Sequence, residues 1–263
     1  MNVKLYKSGL IIEKSSSFRV GLCKLQNSSS TISKRGKITK FSAKSALRLR
    51  KLLCKLDFQK LHSITLTLPK CDLCLDFRGL WHFFVIRLKR QLPKTAIIWR
   101  IELQQRSVPH WHLLLDTNDY FICYDVKQIW FSSVKFWNSS IITPAFYLHG
   151  VHISNYGLDS AYTINYFCSH ISKHKKSQLG WQGRQWGVIN RDCLSFSSFS
   201  SLDVTDIDIL VTRQLRRLSK NLEKYGYYSN LVTLGGIRSC LFGINRQRFE
   251  RVYNYYKKNF QKK

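Results

Sequence analysis

Hydrophobic and polar positions alternate most regularly between Ile97 and Asp116, in IIWRIELQQRSVPHWHLLLD. Successive strand side chains point to opposite faces, so a period of two marks a strand buried on one side. Residues 97–105 and 109–115 read as the two arms of a β-hairpin, with the turn at Arg106, Ser107 and Val108. Trp99, Ile101 and Leu103 form the apolar row of the first arm, and Trp111, Leu113 and Leu115 that of the second. If both rows face one core, the polar rows coincide on the other side. That parity needs an odd-numbered loop or one bulge, because a slip of one residue swaps the faces. His110 and His112 then share a face, with Glu102 beside His112 and Gln104 beside His110.

The same reading extends along the chain. Residues 42–56, with ALRLRKLLCKL, have helical spacing and a basic face. In HSITLTL, residues 62–68, Ser63, Thr65 and Thr67 fall on one face of a strand and Ile64, Leu66 and Leu68 on the other, and Pro69 ends it. Residues 77–92 predict a helix with an aromatic and aliphatic stripe for core packing. Residues 125–138 predict an amphipathic helix and 147–153, YLHGVHI, a strand. Residues 158–176 predict a helix that turns basic towards its end. On it Tyr162, Tyr166, His170 and Lys173 recur at spacings of four and three, along one face. Gly183-Arg-Gln-Trp-Gly187 leads into a closing strand, and the polar stretch 195–201 reads as a linker. Beyond it, 203–225 predicts a basic helix, 231–244 a strand, and 246–260 a basic aromatic helix.

Charge narrows the class of partner. Lys and Arg number 43 against 15 acidic residues, a formal net charge of +28. That excess argues for a polyanionic partner, nucleic acid ahead of a membrane surface. Aromatic residues are 14% of the chain and interleave with cations, as in RVYNYYKKNF, which suits single-stranded nucleic acid with bases free to stack. The 44% hydrophobic content can fill a core. No apolar run is long enough to span a membrane, so none is expected as a partner.

Residues 1–42, with SSS twice and SKRGKITK, read as a basic mobile arm, a composition shared with an organelle transit peptide. Residues 43–195 read as the folded domain, and 196–263 as a basic helical C-terminal extension. Eight cysteines are scattered through mostly apolar segments with no secretory pattern before them. Reduced thiols in an intracellular compartment follow, whether cytoplasm, nucleus or organelle of a host. Cys71-Asp-Leu-Cys74 lacks the second CxxC of a structural zinc site. Chemistry centres instead on His110 and His112. Two imidazoles with Glu102 and Gln104 oxygens on one open face suit a divalent metal, with room for substrate oxygens.

The order strand, helix, H-x-H hairpin, helix, strand, tyrosine helix, G-R-x-W-G resembles the HUH-type rolling-circle replication initiators of single-stranded-DNA phages and small plasmids. HSITLTLP is similar to that family's first motif and PHWHLLL to its central histidine motif. VHISNYGLDSAYTINYFCSHISK resembles its strand and tyrosine helix, and GRQWG a segment that often follows. The likeness spans about residues 61–190. It implies an α+β fold, a mainly antiparallel palm-like sheet with helices behind and a metal on its open face. It also implies a Mg²⁺- or Mn²⁺-dependent endonuclease that nicks and religates single-stranded origin DNA through a 5′-phosphotyrosine, alongside a host helicase and polymerase. Aligning Lys173 on the family's last lysine places Tyr166 on its first tyrosine and His170 on its second; another alignment pairs Tyr162 with Tyr166. The other readings are a non-catalytic nucleic-acid binder and a mobile-element transposase or relaxase. There is no GxxxxGK[ST] loop for a fused helicase.

Overall fold

A computed structural model of the chain describes residues 2–6, 9–13, 41–58, 60–69, 76–103, 108–154, 167, 183–203, 239–242 and 246–260. Its elements run β1 (Asn2–Tyr6), β2 (Gly9–Glu13), α1 (Ala43–Lys55), β3 (Leu61–Thr67), α2 (Phe77–Gln91), β4 (Ile97–Leu103), β5 (Pro109–Asp116) and α3 (Phe121–Trp137). They continue as α4 (Pro144–His149), β6 (Val151–Ser154), β7 (Trp186–Ile189), β8 (Ser200–Asp203), β9 (Ser239–Phe242) and α5 (Arg246–Phe260). The fold is α+β, the class expected. Its centre is a five-stranded antiparallel sheet in the order β6-β3-β5-β4-β7.

One face of this sheet is sealed by α2 and α3. Ile64, Leu66, Trp99, Trp111 and Leu113 meet Leu80, Trp81, Phe84, Ile129 and Trp130 in one buried cluster. Trp81 stacks on Trp111 with centroids 5.5 Å apart, and Trp111 meets Trp130 edge to face at 5.3 Å. Gly187 belongs to this packing. A Cβ there would stand 2.8 Å from Trp99 Nε1, so edge strand β7 can lie against the indole only with glycine at this position. Asn190 closes the strand in a left-handed conformation (φ 51°), its amide donating to the carbonyls of Leu92 and Thr95 at 2.6 and 2.9 Å.

Two element boundaries differ from the expected ones, each for a local reason. Helix α3 begins before residue 125 because the Asp119 carboxylate accepts from the Phe121 N–H at 2.9 Å. Tyr147–His149 are helical rather than extended: Thr143 caps the Phe146 N–H at 3.1 Å and Pro144 starts the turn.

The largest departure concerns the termini. The expected mobile arm contains β1 and β2, paired antiparallel, and the expected linker and helical extension contribute β8 and β9. These strands form a second sheet in the order β8-β1-β2-β9. Tyr6 and Ile11 join Leu49, Leu53 and Cys54 of α1 in a second core, which also holds Leu61, Ile98 and Leu114 of the five-stranded sheet. Helix α1 therefore packs against both sheets. The chain at 195–197 is tied to its end, Asp57 N–H donating to Ser195 and Ser197 N–H to Lys55. No helix among the described residues is long and apolar enough to cross a membrane.

Candidate functional site

Antiparallel pairing puts directly opposed residues on the same face. Register across the five strands therefore builds the site row by row. Thr65 opposes both His112 and His152, and Arg100 opposes both His112 and Trp186. One polar row thus crosses the whole sheet as His152–Thr65–His112–Arg100–Trp186. The row above it is Thr67–His110–Glu102. The row below is Ser154–Ser63–Leu114–Ile98–Val188, where the face turns apolar.

His110 and His112 share this face, as their spacing predicts, and their rings stack nearly parallel with centroids 4.9 Å apart. His112 Nδ1 lies 3.3 Å from Thr65 Oγ1, and His110 Nε2 lies 3.1 Å from Thr67 Oγ1. Glu102 Oε2 sits 3.3 Å from His112 Nε2 and accepts from Arg100 Nη2 at 2.8 Å. His112 is 6% exposed and Arg100 2%, so that ring and the guanidinium are screened from water, while His110 and Glu102 are half-buried at the edge of the site.

The register shifts the expected hairpin pairing by two residues. Glu102 opposes His110 and Arg100 opposes His112, because the connection spans residues 104–108 rather than 106–108. Gln104, expected beside His110, lies outside the described residues, and the position opposite His112 belongs to a cation. Arg100 was legible as a member of the polar row; nothing in the local pattern marked it as buried. The face is also not open along its length, since α1 covers its apolar half.

Of the tyrosine segment, Tyr162, Tyr166, His170 and Lys173 lie outside the described residues. Phe167 is described: it is buried in the second core, and the Arg100 guanidinium carbon stands 5.8 Å from its ring centroid. That contact brings the residue following Tyr166 onto the histidine face. His152, exposed at the β6 end of the polar row, is a third histidine that the strand pattern held and the H-x-H motif did not announce. His62, by contrast, is fully buried and its Nε2 lies 3.0 Å from the Thr117 carbonyl, a structural contact.

The donor chemistry of His110, His112 and Glu102 suits a divalent cation. Two ligands about 2.1 Å from one ion stand roughly 3.0–3.4 Å apart. His112 Nε2 and Glu102 Oε2 have that separation. His110 faces Thr67 instead. No group of three His, Cys, Asp or Glu side chains among the described residues is assembled to hold a metal. Of the described cysteines, Cys54 and Cys123 are buried and Cys193 is exposed, and burial pushes the Cys123 thiol up to about 11.

No protein-family model matches the chain, and no curated protein matches it as a relative.

Proposed function

We propose that the chain is a rolling-circle replication initiator of the HUH type, a metal-dependent endonuclease and strand transferase acting on single-stranded DNA. The observation that carries this reading is the cluster of His110, His112 and Glu102 on one sheet face, with Phe167 of the tyrosine segment packed over Arg100 beside it. His110, His112 and Glu102 would hold Mg²⁺ or Mn²⁺, which when bound supplies positive charge at the scissile phosphate. Thr65 and Thr67 orient the two imidazoles.

The remaining chemistry belongs to side chains. Tyrosine Oη attacks phosphorus in line, an O–P bond forms to the tyrosine and the P–O3′ bond breaks. The leaving strand takes up a proton as a 3′-hydroxyl and the tyrosine's own proton passes to a neighbouring base. Free tyrosine titrates near ~10, so proton removal needs help at neutral pH, and His170 is the candidate nearest in sequence. Attack of the 3′-hydroxyl on the 5′-phosphotyrosine reverses the step and religates the strand. Tyr166 is the proposed nucleophile, with Tyr162 as the second transfer residue and Lys173 as a phosphate contact.

One observation favours a second reading, a nucleic-acid binder without cleavage. The Glu102 carboxylate is already engaged by the Arg100 guanidinium at 2.8 Å, a built-in cation where the first reading needs a metal ligand.

The test is covalent. Wild type is incubated with Mn²⁺ and single-stranded oligonucleotides tiled along the DNA that encodes the chain. The expected result is an adduct stable on a denaturing gel, mapped by mass spectrometry to Tyr166. Tyr166→Phe removes the adduct and keeps DNA binding, while Tyr162→Phe keeps first-turnover cleavage. An adduct elsewhere overturns the assignment of the nucleophile, and no adduct on any strand favours the binder.

A further inference from the structure

A cavity of about 910 Å³ lies away from the histidines, between α1 and edge strand β7. Small-molecule pockets run about 300–1,000 Å³, so this one is at the top of that range. Its charge is one-sided. Arg48, Lys51, Lys55, Arg184 and Arg191 line it, and no acidic side chain among the described residues does. Three of these, Arg48, Lys55 and Arg191, are exposed and form no ion pair with another described residue. Cations at this density repel one another across the groove, so their arrangement favours a polyanion between them.

Aromatic faces lie among the cations. Phe41, Trp186 and Phe196 line the same groove, and Phe196 is 56% exposed. The Trp186 indole is fixed, its Nε1–H donating to Ser45 Oγ at 2.9 Å. Flat rings interleaved with cations suit the bases and phosphates of an unpaired strand, and a duplex cannot offer its bases to them. Trp186 is also the β7 end of the polar row through Arg100 and His112. Neighbouring strands stand about 4.8 Å apart, so Trp186 is roughly 10 Å from His112 along that row.

We infer that this groove is a metal-independent holding site for single-stranded nucleic acid, which lays the strand along α1 and β7. The holding itself rests on charge and shape; only its service to cleavage rests on the function proposed above.

The test uses the full chain, fluorescence anisotropy of a labelled oligothymidylate, and EDTA throughout. Each phosphate contact on a single strand contributes about 0.7 to the slope of log affinity against log salt. Combined Arg48→Gln, Lys55→Gln and Arg191→Gln should lower that slope by about 2. A control removes the same charge at the exposed Lys89, Arg90 and Lys135 on α2 and α3, which cover the other face of the sheet, and should leave the slope unchanged. Phe196→Ala should weaken binding roughly tenfold with the slope unchanged, since stacking is not screened by salt. Circular dichroism confirms that each variant is folded. Equal losses in the groove and control variants overturn the proposal, because diffuse charge would then suffice. Equal affinity for a duplex of the same length overturns the stacking role. Intact groove binding without any covalent adduct defeats the nicking reading alone, and an adduct formed by a groove variant that binds like wild type defeats the groove alone.

Discussion

One sheet face is divided into an apolar half and a polar half. Below the boundary, Leu114 and Ile98 stand side by side and α1 closes over them with Leu49 and Leu53. Above it, on the same two strands and in the same period of two, His112 and Arg100 take those places, with His110 and Glu102 in the row beyond. Backbone pairing is continuous across both halves, so the strands supply rigidity and the side chains decide the use. The apolar half anchors α1 and, through Tyr6 and Ile11, the sheet made by the chain ends. The polar half sits on that anchored platform with its carboxylate and imidazoles fixed by short contacts. A site built on strands is held more firmly than one on loops, and here its support is the core immediately below it.

The largest break of this comparison is in the apolar half. Leu114→Ala leaves a cavity between the sheet and α1, in a residue only 1% exposed. Losing such a side chain costs about 2–5 kcal/mol. Chemical denaturation should show that loss. A variant as stable as wild type would mean that α1 is not packed on this row.

A smaller effect is expected at the boundary itself. Glu102→Gln keeps the shape but removes the charge that faces Arg100 and His112. Loss of one partner in a charged, largely buried hydrogen bond costs about 1–3 kcal/mol. Denaturation should report that cost, and divalent-metal affinity should weaken without vanishing, because both imidazoles remain. Unchanged stability would show that the Arg100–Glu102 contact contributes nothing to the fold.

How far the sequence could be read follows from the range of each signal. Alternation placed His110, His112 and Glu102 on one face of the hairpin and Thr65 and Thr67 on one face of their own strand, because strand periodicity is local; the pairing of β3 with β5 joins the two sets. The same alternation could not choose between a connection over 106–108 and one over 104–108. Both keep the parity, and the register that decides between Gln104 and Arg100 as neighbours of the histidines depends on turn geometry. The sheet of β1, β2, β8 and β9 was hidden for another reason. Its strands are five residues or fewer, and β8 and β9 come from the opposite end of the chain, embedded in serine-rich or basic sequence. Their pairing is a long-range event that no local pattern encodes. The burial of Arg100 likewise depends on Phe167, distant in sequence.

Binding of Mn²⁺ to the intact chain tests the central claim that the polar half is a metal-dependent catalytic site. Wild type and the double variant His110→Ala, His112→Ala are titrated by calorimetry and by the loss of the free-ion electron paramagnetic resonance signal, with thermal unfolding run in parallel. The account predicts one Mn²⁺ per wild-type chain, and loss of both that binding and single-strand cleavage in a double variant that still unfolds cooperatively near the wild-type temperature. Equal Mn²⁺ binding by the two proteins, or none by either, would contradict it.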